Sequence, residues 1–205
     1  ICKTENVGSG RGESFKRFDG DVFGTVFHIT YMSSGDLSEG IKKTLDDVDN
    51  SLSPFNKQST ISHINDNSSM DTDTMFVKVF AIAKAVAAET DGAFDITVAP
   101  LVNLWGFGFK SGEKVSDNAV DSVRRFVGFD KVDISHGKVV KQMPETSLDC
   151  SAIAKGFGVD AVAEYLESKG VIRYMVEIGG EVRLRGLNPK NANWSIGVTT
   201  PTDDS

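Results

Sequence analysis

The sequence lacks any apolar run near the roughly 18–20 residues that a membrane-spanning helix needs, so its 205 residues contain no such span. It has only two cysteines, Cys2 and Cys150. Two cannot build a disulfide scaffold, neither sits in a CxxC, and they leave the redox compartment open. His28, His63 and His136 are far apart and show no metal-ligand spacing. A basic excess is also missing. Lys and Arg number 22 against 29 Asp and Glu, a formal charge of −7. An acidic chain is a poor ligand for a phosphate backbone, so no nucleic-acid partner is expected. One anionic ligand held by a few local groups stays open. There is no Walker loop, no GxSxG, no internal repeat and no low-complexity tract. Apolar residues at 40 % and charged residues at 25 % exclude disorder, collagen and coiled coil.

The first residue is Ile1 rather than Met, so an upstream segment is expected. Cys2 is either the lipid-bearing cysteine of a processed lipoprotein or an ordinary cysteine in a tail. Ile1 is a poor residue to precede a lipid-bearing one.

Residues 1–20 are glycine-rich without periodicity and read as a mobile tail, followed by a single domain over 21–205. Phe23, Thr25, Phe27, Ile29 and Tyr31 alternate as a strand. Asp36 with Glu39 opens a helix whose stripe is Leu37, Ile41, Leu45, Val48 and Leu52, ended by Ser53-Pro54. Residues 53–70 read as a long loop. A second helix starts near Asp71–Thr74, carries Phe76, Val79, Phe80, Ala83, Val86 and Ala87, and closes at Gly92. A third runs from a Ser116 cap to Gly128. A hairpin turns at His136-Gly137, a fourth helix follows Ser151, and a second hairpin turns at Gly179-Gly180. Trp194, Ile196 and Val198 alternate as a last strand. Helices mixed with hairpins, without strict β-α-β alternation, predict an α+β fold with helices packed on a mainly antiparallel sheet.

Three segments stand out chemically. Asp91–Gly108 combines Phe94, Trp105 and Phe107 with Asp91, Asp95 and small residues. It reads either as a loop that stacks a flat ring or as a plug over the core. In Asp149–Asp160 a carboxylate and a hydroxyl precede a helix start, with Lys155 on the first turn. That suits a phosphate at the helix N-terminus, or a metal or ligand amide at Asp149. Plain capping by Asp149 or Ser151 explains it equally. Gly179-Gly180, between Glu177 and Glu181, is either an anion nest or only a turn. Cys150 sits among apolar residues without a His partner, which argues against a nucleophile.

Together these stretches resemble the FAD:protein FMN transferases, the ApbE family, once called thiamine biosynthesis lipoproteins. The resemblance runs from Phe23 to about Val198. It rests on Val22–Thr25, Leu52–Lys57, Gly92–Val98 with Pro100–Gly108, Leu148–Gly156 and Ile178–Glu181. It implies a T-fold-related α+β architecture, FAD as donor substrate, Mg²⁺ as cofactor, and a Thr or Ser hydroxyl of an acceptor protein. FMN would join that hydroxyl through a phosphodiester with release of AMP. Implied partners are acceptor flavoprotein subunits of membrane redox complexes. The implied location is the cell envelope, on the outer side of the cytoplasmic membrane or in the periplasm, with membrane contact only through an N-terminal lipid anchor.

By the same resemblance, flavin and adenosine contacts fall on Phe23, Phe55, Ala93, Phe94, Asp95, Asp149 and Lys155. A backbone carbonyl ligand of Mg²⁺ falls on Ala152, where the side chain is immaterial. No catalytic residue is assigned. The family commonly has Met where this chain has Phe23 and Tyr where it has Phe55. Phe keeps an apolar or stacking contact but lacks the Tyr hydroxyl. Lys155 would meet a phosphate or a carboxylate. Three further family segments, Thr-Ser-Gly-x-Tyr, His-x-Ile-Asp-Pro and an Ala-Asp closely followed by Thr, do not occur in residues 1–205. The Asp and Thr of the last supply the remaining Mg²⁺ ligands. The resemblance therefore implies either that the sequence is a fragment or that the rest lies in another chain, and, if Ser205 is the end, an incomplete metal site and no transfer.

Other readings use the same residues: an FAD pyrophosphatase with water as acceptor, a non-catalytic flavin-binding envelope protein, or a flavinylated acceptor. The last fits least, because Asp91–Thr97 lacks the acceptor ending Gly-Ala-Thr.

Overall fold

A computed structural model describes residues 3–7, 12–106 and 115–198. Cys2, Phe107, Gly108 and the loop expected at Pro201–Ser205 lie outside them. The chain clusters into two compact units. One is Ile1–Lys42 with Val159–Ser205, and the other is Lys43–Gly158.

The first unit is built on strands β1 (Lys3–Val7), β2 (Ser14–Val22), β3 (Thr25–Ser33), β6 (Tyr174–Ile178) and β7 (Glu181–Arg185). They form one antiparallel sheet in the order β1-β2-β3-β6-β7. Period-2 alternation puts Phe27, Ile29 and Tyr31 of β3 on one buried face. In register, they stand beside Ile178, Val176 and Tyr174 of β6. Phe18 joins them, its ring centroid 5.2 Å from that of Phe27. Helix α6 (Ser151–Ser168) brings Val159, Val162, Ala163 and Leu166 to the core. Tyr174 Oη donates to Glu167 at 2.6 Å, and Arg183 pairs with Asp160 at 3.0 Å. Those bonds tie α6 to β6 and β7.

The second unit holds most of α1 (Ser38–Leu52), then α2 (Thr60–Asn65), α3 (Thr74–Glu89), α4 (Ala99–Leu104), α5 (Asp117–Arg124) and the hairpin β4 (Val132–Ser135) with β5 (Lys138–Lys141). The start of α6 completes it. Leu45, Val48, Leu52, Ile61, Ile64, Phe76, Val79 and Phe80 are buried, as the helical stripes of α1 and α3 require. Among the described residues no helix is long and apolar enough to cross a membrane.

Several expectations need correction. Within the stretch expected as a tail, Lys3–Val7 is β1 and β2 begins at Ser14, with Phe15 and Phe18 buried. Lys16, Arg17 and Asp19 between those rings masked the strand pattern. The first expected strand begins at Thr25, because Phe23 and Gly24 form the turn between β2 and β3. The loop expected over 53–70 contains α2, with Ile61 and Ile64 fully buried. Six residues are too few to display a period. The loop within 91–108 contains a 3-10 turn, Ile96–Val98, and then α4 with Pro100 in its first turn. The third helix stops at Arg124 rather than Gly128. Residues 194–198 form no strand: Ile196 and Val198 are exposed, and alternation makes no strand without a partner edge.

Candidate functional site

Phe55, Ala93, Phe94, Asp95, Asp149, Ala152 and Lys155 fall in the unit Lys43–Gly158, and Phe23 falls in the other. Val22 pairs with Thr25, so Phe23 and Gly24 alone make the turn. Both are left-handed, with φ of 53° and 73°. This is the turn that matches strand twist, and it favours Asn-Gly over an aromatic residue. A bulky side chain there costs on the order of 1–3 kcal/mol, a strain that recurs at functional sites.

Phe55 lies in the turn after α1 and is 68 % exposed. That turn is braced from behind. Ser59 Oγ donates to the Ser53 carbonyl at 2.6 Å, and Ser62 Oγ donates to the Pro54 carbonyl at 3.3 Å. Ser59 also caps α2. Ala93 is exposed and Phe94 half-buried. The Phe94 N–H donates to Thr90 Oγ1 at 3.1 Å, and the Ala93 N–H donates to the Thr90 carbonyl at 3.0 Å.

Asp95 caps the 3-10 turn that follows it. Its Oδ1 accepts the Thr97 N–H and the Thr97 hydroxyl, both at 2.7 Å. Next in the chain, the Ile96 carbonyl accepts the Asp149 N–H at 2.7 Å. Leu148 is held on its other side: its N–H donates to Asn65 Oδ1 at 2.7 Å, and its carbonyl accepts Asn65 Nδ2 at 2.8 Å. The Gly92–Val98 and Leu148–Gly156 stretches are thus brought together, with α2 locked to the second.

Asp149 Oδ1 accepts the Ser151 N–H at 2.8 Å, so the capping alternative is realised. The described bonds of Asp95 and Asp149 occupy one carboxylate oxygen of each and leave Oδ2 available. Lys155 stands half-buried on α6, one turn after Ser151. Ala152 is exposed in the first turn of that helix. Cys150 is buried and its thiol is pushed up to about 12, chiefly by desolvation, so it is no nucleophile.

The anion nest at Gly179-Gly180 is not formed. The Gly180 N–H donates to Glu177 Oε1 at 2.7 Å, and the Gly179 N–H donates to the Val26 carbonyl at 3.1 Å. Among the described residues no three His, Cys, Asp or Glu side chains gather as a metal site. Asn65 and Thr97 carry much of the geometry but were not singled out in the sequence. Asn65 lay in a polar stretch read as loop. Thr97 stood two residues after a carboxylate, a spacing that side-chain turns favour.

Comparison with known proteins follows the same lines. Residues 23–205 match the pattern of the ApbE family. The chain is 36 % identical over 196 residues to the FAD:protein FMN transferase of Vibrio cholerae serotype O1, covering 90 % of this chain and 59 % of that protein. It is 38 % identical over 200 residues to the enzyme of that name from Haemophilus influenzae, covering 89 % and 58 %. The chain therefore spans less than two thirds of the length of these curated relatives. A variant of the Vibrio cholerae flavin transferase ApbE superposes with a TM-score of 0.86 at 36 % identity, covering 92 % of this chain and 68 % of that one. The apo form of the Pseudomonas stutzeri flavinyl transferase ApbE gives 0.85 at 30 % identity, covering 93 % and 67 %. With helices on an antiparallel sheet and the family pattern extending from Phe23 onward, the chain belongs to the ApbE family.

Proposed function

We propose that this chain forms the FAD-binding part of a flavin transferase that moves FMN from FAD to a Thr or Ser hydroxyl of an acceptor protein. One observation carries the reading. Two carboxylates, Asp95 and Asp149, each give one oxygen to a local N–H, and no described bond takes the other. Their backbones are joined by the Asp149–Ile96 bond. Paired acceptors of this kind suit the N–H, amino and hydroxyl donors of a dinucleotide. Within the unit Lys43–Gly158, Phe55 and Phe94 supply ring faces for flavin or adenine, and Ala93 lets the backbone approach; Phe23 enters this reading through the family resemblance. In this reading Lys155 meets a phosphate or holds a carboxylate.

In the proposed reaction the acceptor hydroxyl oxygen bonds to the flavin-side phosphorus, and its proton passes to solvent or to the departing AMP phosphate. The P–O bond to the AMP phosphate breaks, and AMP leaves. Such a transfer depends on positioning and charge neutralisation more than on a covalent nucleophile. Mg²⁺ dependence belongs to this reading, with the Ala152 carbonyl as the matching ligand position. Among the described residues no three His, Cys, Asp or Glu side chains gather to supply further ligands. The proposed acceptors are flavoprotein subunits of membrane redox complexes, and the proposed location is the outer side of the cytoplasmic membrane or the periplasm.

The test is one incubation of protein, FAD, Mg²⁺ and an acceptor fragment, with and without EDTA. It is read by intact mass and nucleotide chromatography. AMP release with an FMN-sized mass gain on the acceptor, both abolished by EDTA, is the expected result. Free FMN with no gain identifies hydrolysis instead. Intact FAD bound without turnover identifies a binding protein.

A further inference from the structure

Thr97 is fully buried, and its described side-chain hydrogen bonds join Asp95, in its own segment, to Gly128, 31 positions on. Its hydroxyl donates to Asp95 Oδ1 at 2.7 Å and accepts the Gly128 N–H at 2.7 Å. Its backbone N–H donates to the same Asp95 oxygen. A hydroxyl has one proton, and here that proton is spent on the carboxylate. The Gly128 N–H fixes the rotamer that aims it and polarises it further. The chain of bonds runs from Gly128 through Thr97 to Asp95. A residue that only filled the core here would be Val, which has the same shape and no hydroxyl.

We propose that Thr97 is a positioning residue for FAD binding: it turns the Asp95 carboxylate so that Oδ1 faces inward and Oδ2 faces the nucleotide. This rests on the reading of Asp95 as an FAD contact. Without the hydroxyl, Oδ1 keeps only the backbone N–H, and the carboxylate rotates among orientations that must be frozen again on binding.

The test is FAD titration, by flavin fluorescence or calorimetry, of wild type, Thr97→Val, Thr97→Ser, Asp95→Ala and the double variant Asp95→Ala/Thr97→Val. Stoichiometry and a melting curve accompany each. Thr97→Val is expected to weaken FAD about tenfold, the order of one hydrogen bond to a charged group. Thr97→Ser, which keeps the hydroxyl, is expected to stay within about threefold even as it loses stability for the deleted methyl. In the Asp95→Ala background Thr97→Val is expected to weaken FAD no further, although it still lowers the melting temperature. A merely structural Thr97 would give the same loss in both backgrounds. Should Thr97→Val fail to fold, Thr97→Ala is used with the same expectation. Wild-type affinity in Thr97→Val, or equal losses in the two backgrounds, overturns the assignment of Thr97 alone. No FAD binding by the wild type, or none lost in Asp95→Ala, overturns the functional reading and this inference with it.

Discussion

The Asp149 N–H donates to the Ile96 carbonyl at 2.7 Å, between residues 53 positions apart in the sequence. That bond sets two candidate ligand carboxylates on adjoining backbones. Asn65 holds the preceding residue, Leu148, by two further bonds. The pairing is a backbone device, so the flanking side chains can vary without losing it.

Asp149 both caps α6 and carries the proposed ligand oxygen, and substitution separates the two roles. Asp149→Ala is expected to cost about 1 kcal/mol of stability for the lost cap and to weaken FAD about tenfold. Asp149→Asn keeps an oxygen for the Ser151 N–H and is expected to restore most of the stability. Asp160→Ala, whose side chain is exposed and paired with Arg183 at 3.0 Å, is expected to leave FAD affinity unchanged. Titration beside a thermal melt checks all three, and equal FAD affinity in Asp149→Ala and Asp160→Ala would sink the ranking.

Tyr31 closes the start of α1. Its hydroxyl donates to Asp36 Oδ1 and accepts the Leu37 N–H, both at 3.0 Å. Asp36 Oδ1 also accepts the Ser38 N–H at 2.9 Å. Tyr31→Phe removes one donor and one acceptor and is expected to cost about 1 kcal/mol, or about 2–4 °C in Tm for a chain of this size. Calorimetry at pH 7 reads it. Burial pushes the phenol up to about 12 from its ordinary 10.0. The unfolded chain therefore gives up that proton first. The Tyr31 contribution is complete below pH 10 and disappears as pH rises through about 12. Tyr31→Phe is expected to flatten the alkaline loss of stability in that window.

Cys150 acts earlier on the same pH axis. Its thiol is pushed from 9.0 to about 12, chiefly by burial. The folded state keeps this proton where the unfolded state releases it, so stability falls as pH rises from about 9 through about 12. In a Cys2→Ser background, Cys150 is expected to react with a thiol reagent only at the rate of unfolding at pH 8, and at once in denaturant. Rapid labelling of the folded protein would refute its burial. Cys150→Ala is expected to reduce the pH dependence between about 9 and 10, before Tyr31 enters.

Long stripes were legible because burial imposes a period. Ile41, Leu45, Val48 and Leu52, like Phe76, Val79, Phe80 and Ala83, occur at steps of three or four and are all buried. Both hairpins after Gly128 announced themselves by glycine turns between β-branched runs. Short elements were not legible. The two core residues of α2, Ile61 and Ile64, look like stray apolar residues in a polar stretch. The ring of Phe23 belongs to a turn because its neighbours Val22 and Thr25 pair across it, and strand alternation cannot signal that.

The sequence by itself determined the fold class, the main helices and the family, because these depend on local periods and on ordered motifs that keep their spacing along the chain. It also singled out Asp95 and Asp149 as candidate carboxylates. Only the tertiary structure decided which oxygen of each is occupied, that Thr97 and Gly128 fix one of them, and that the Gly179-Gly180 turn spends its N–H groups internally. Hydrogen bonds are directional and short, and the partners here are separated by tens of residues. Their pairing exists only once the core has brought the backbones together.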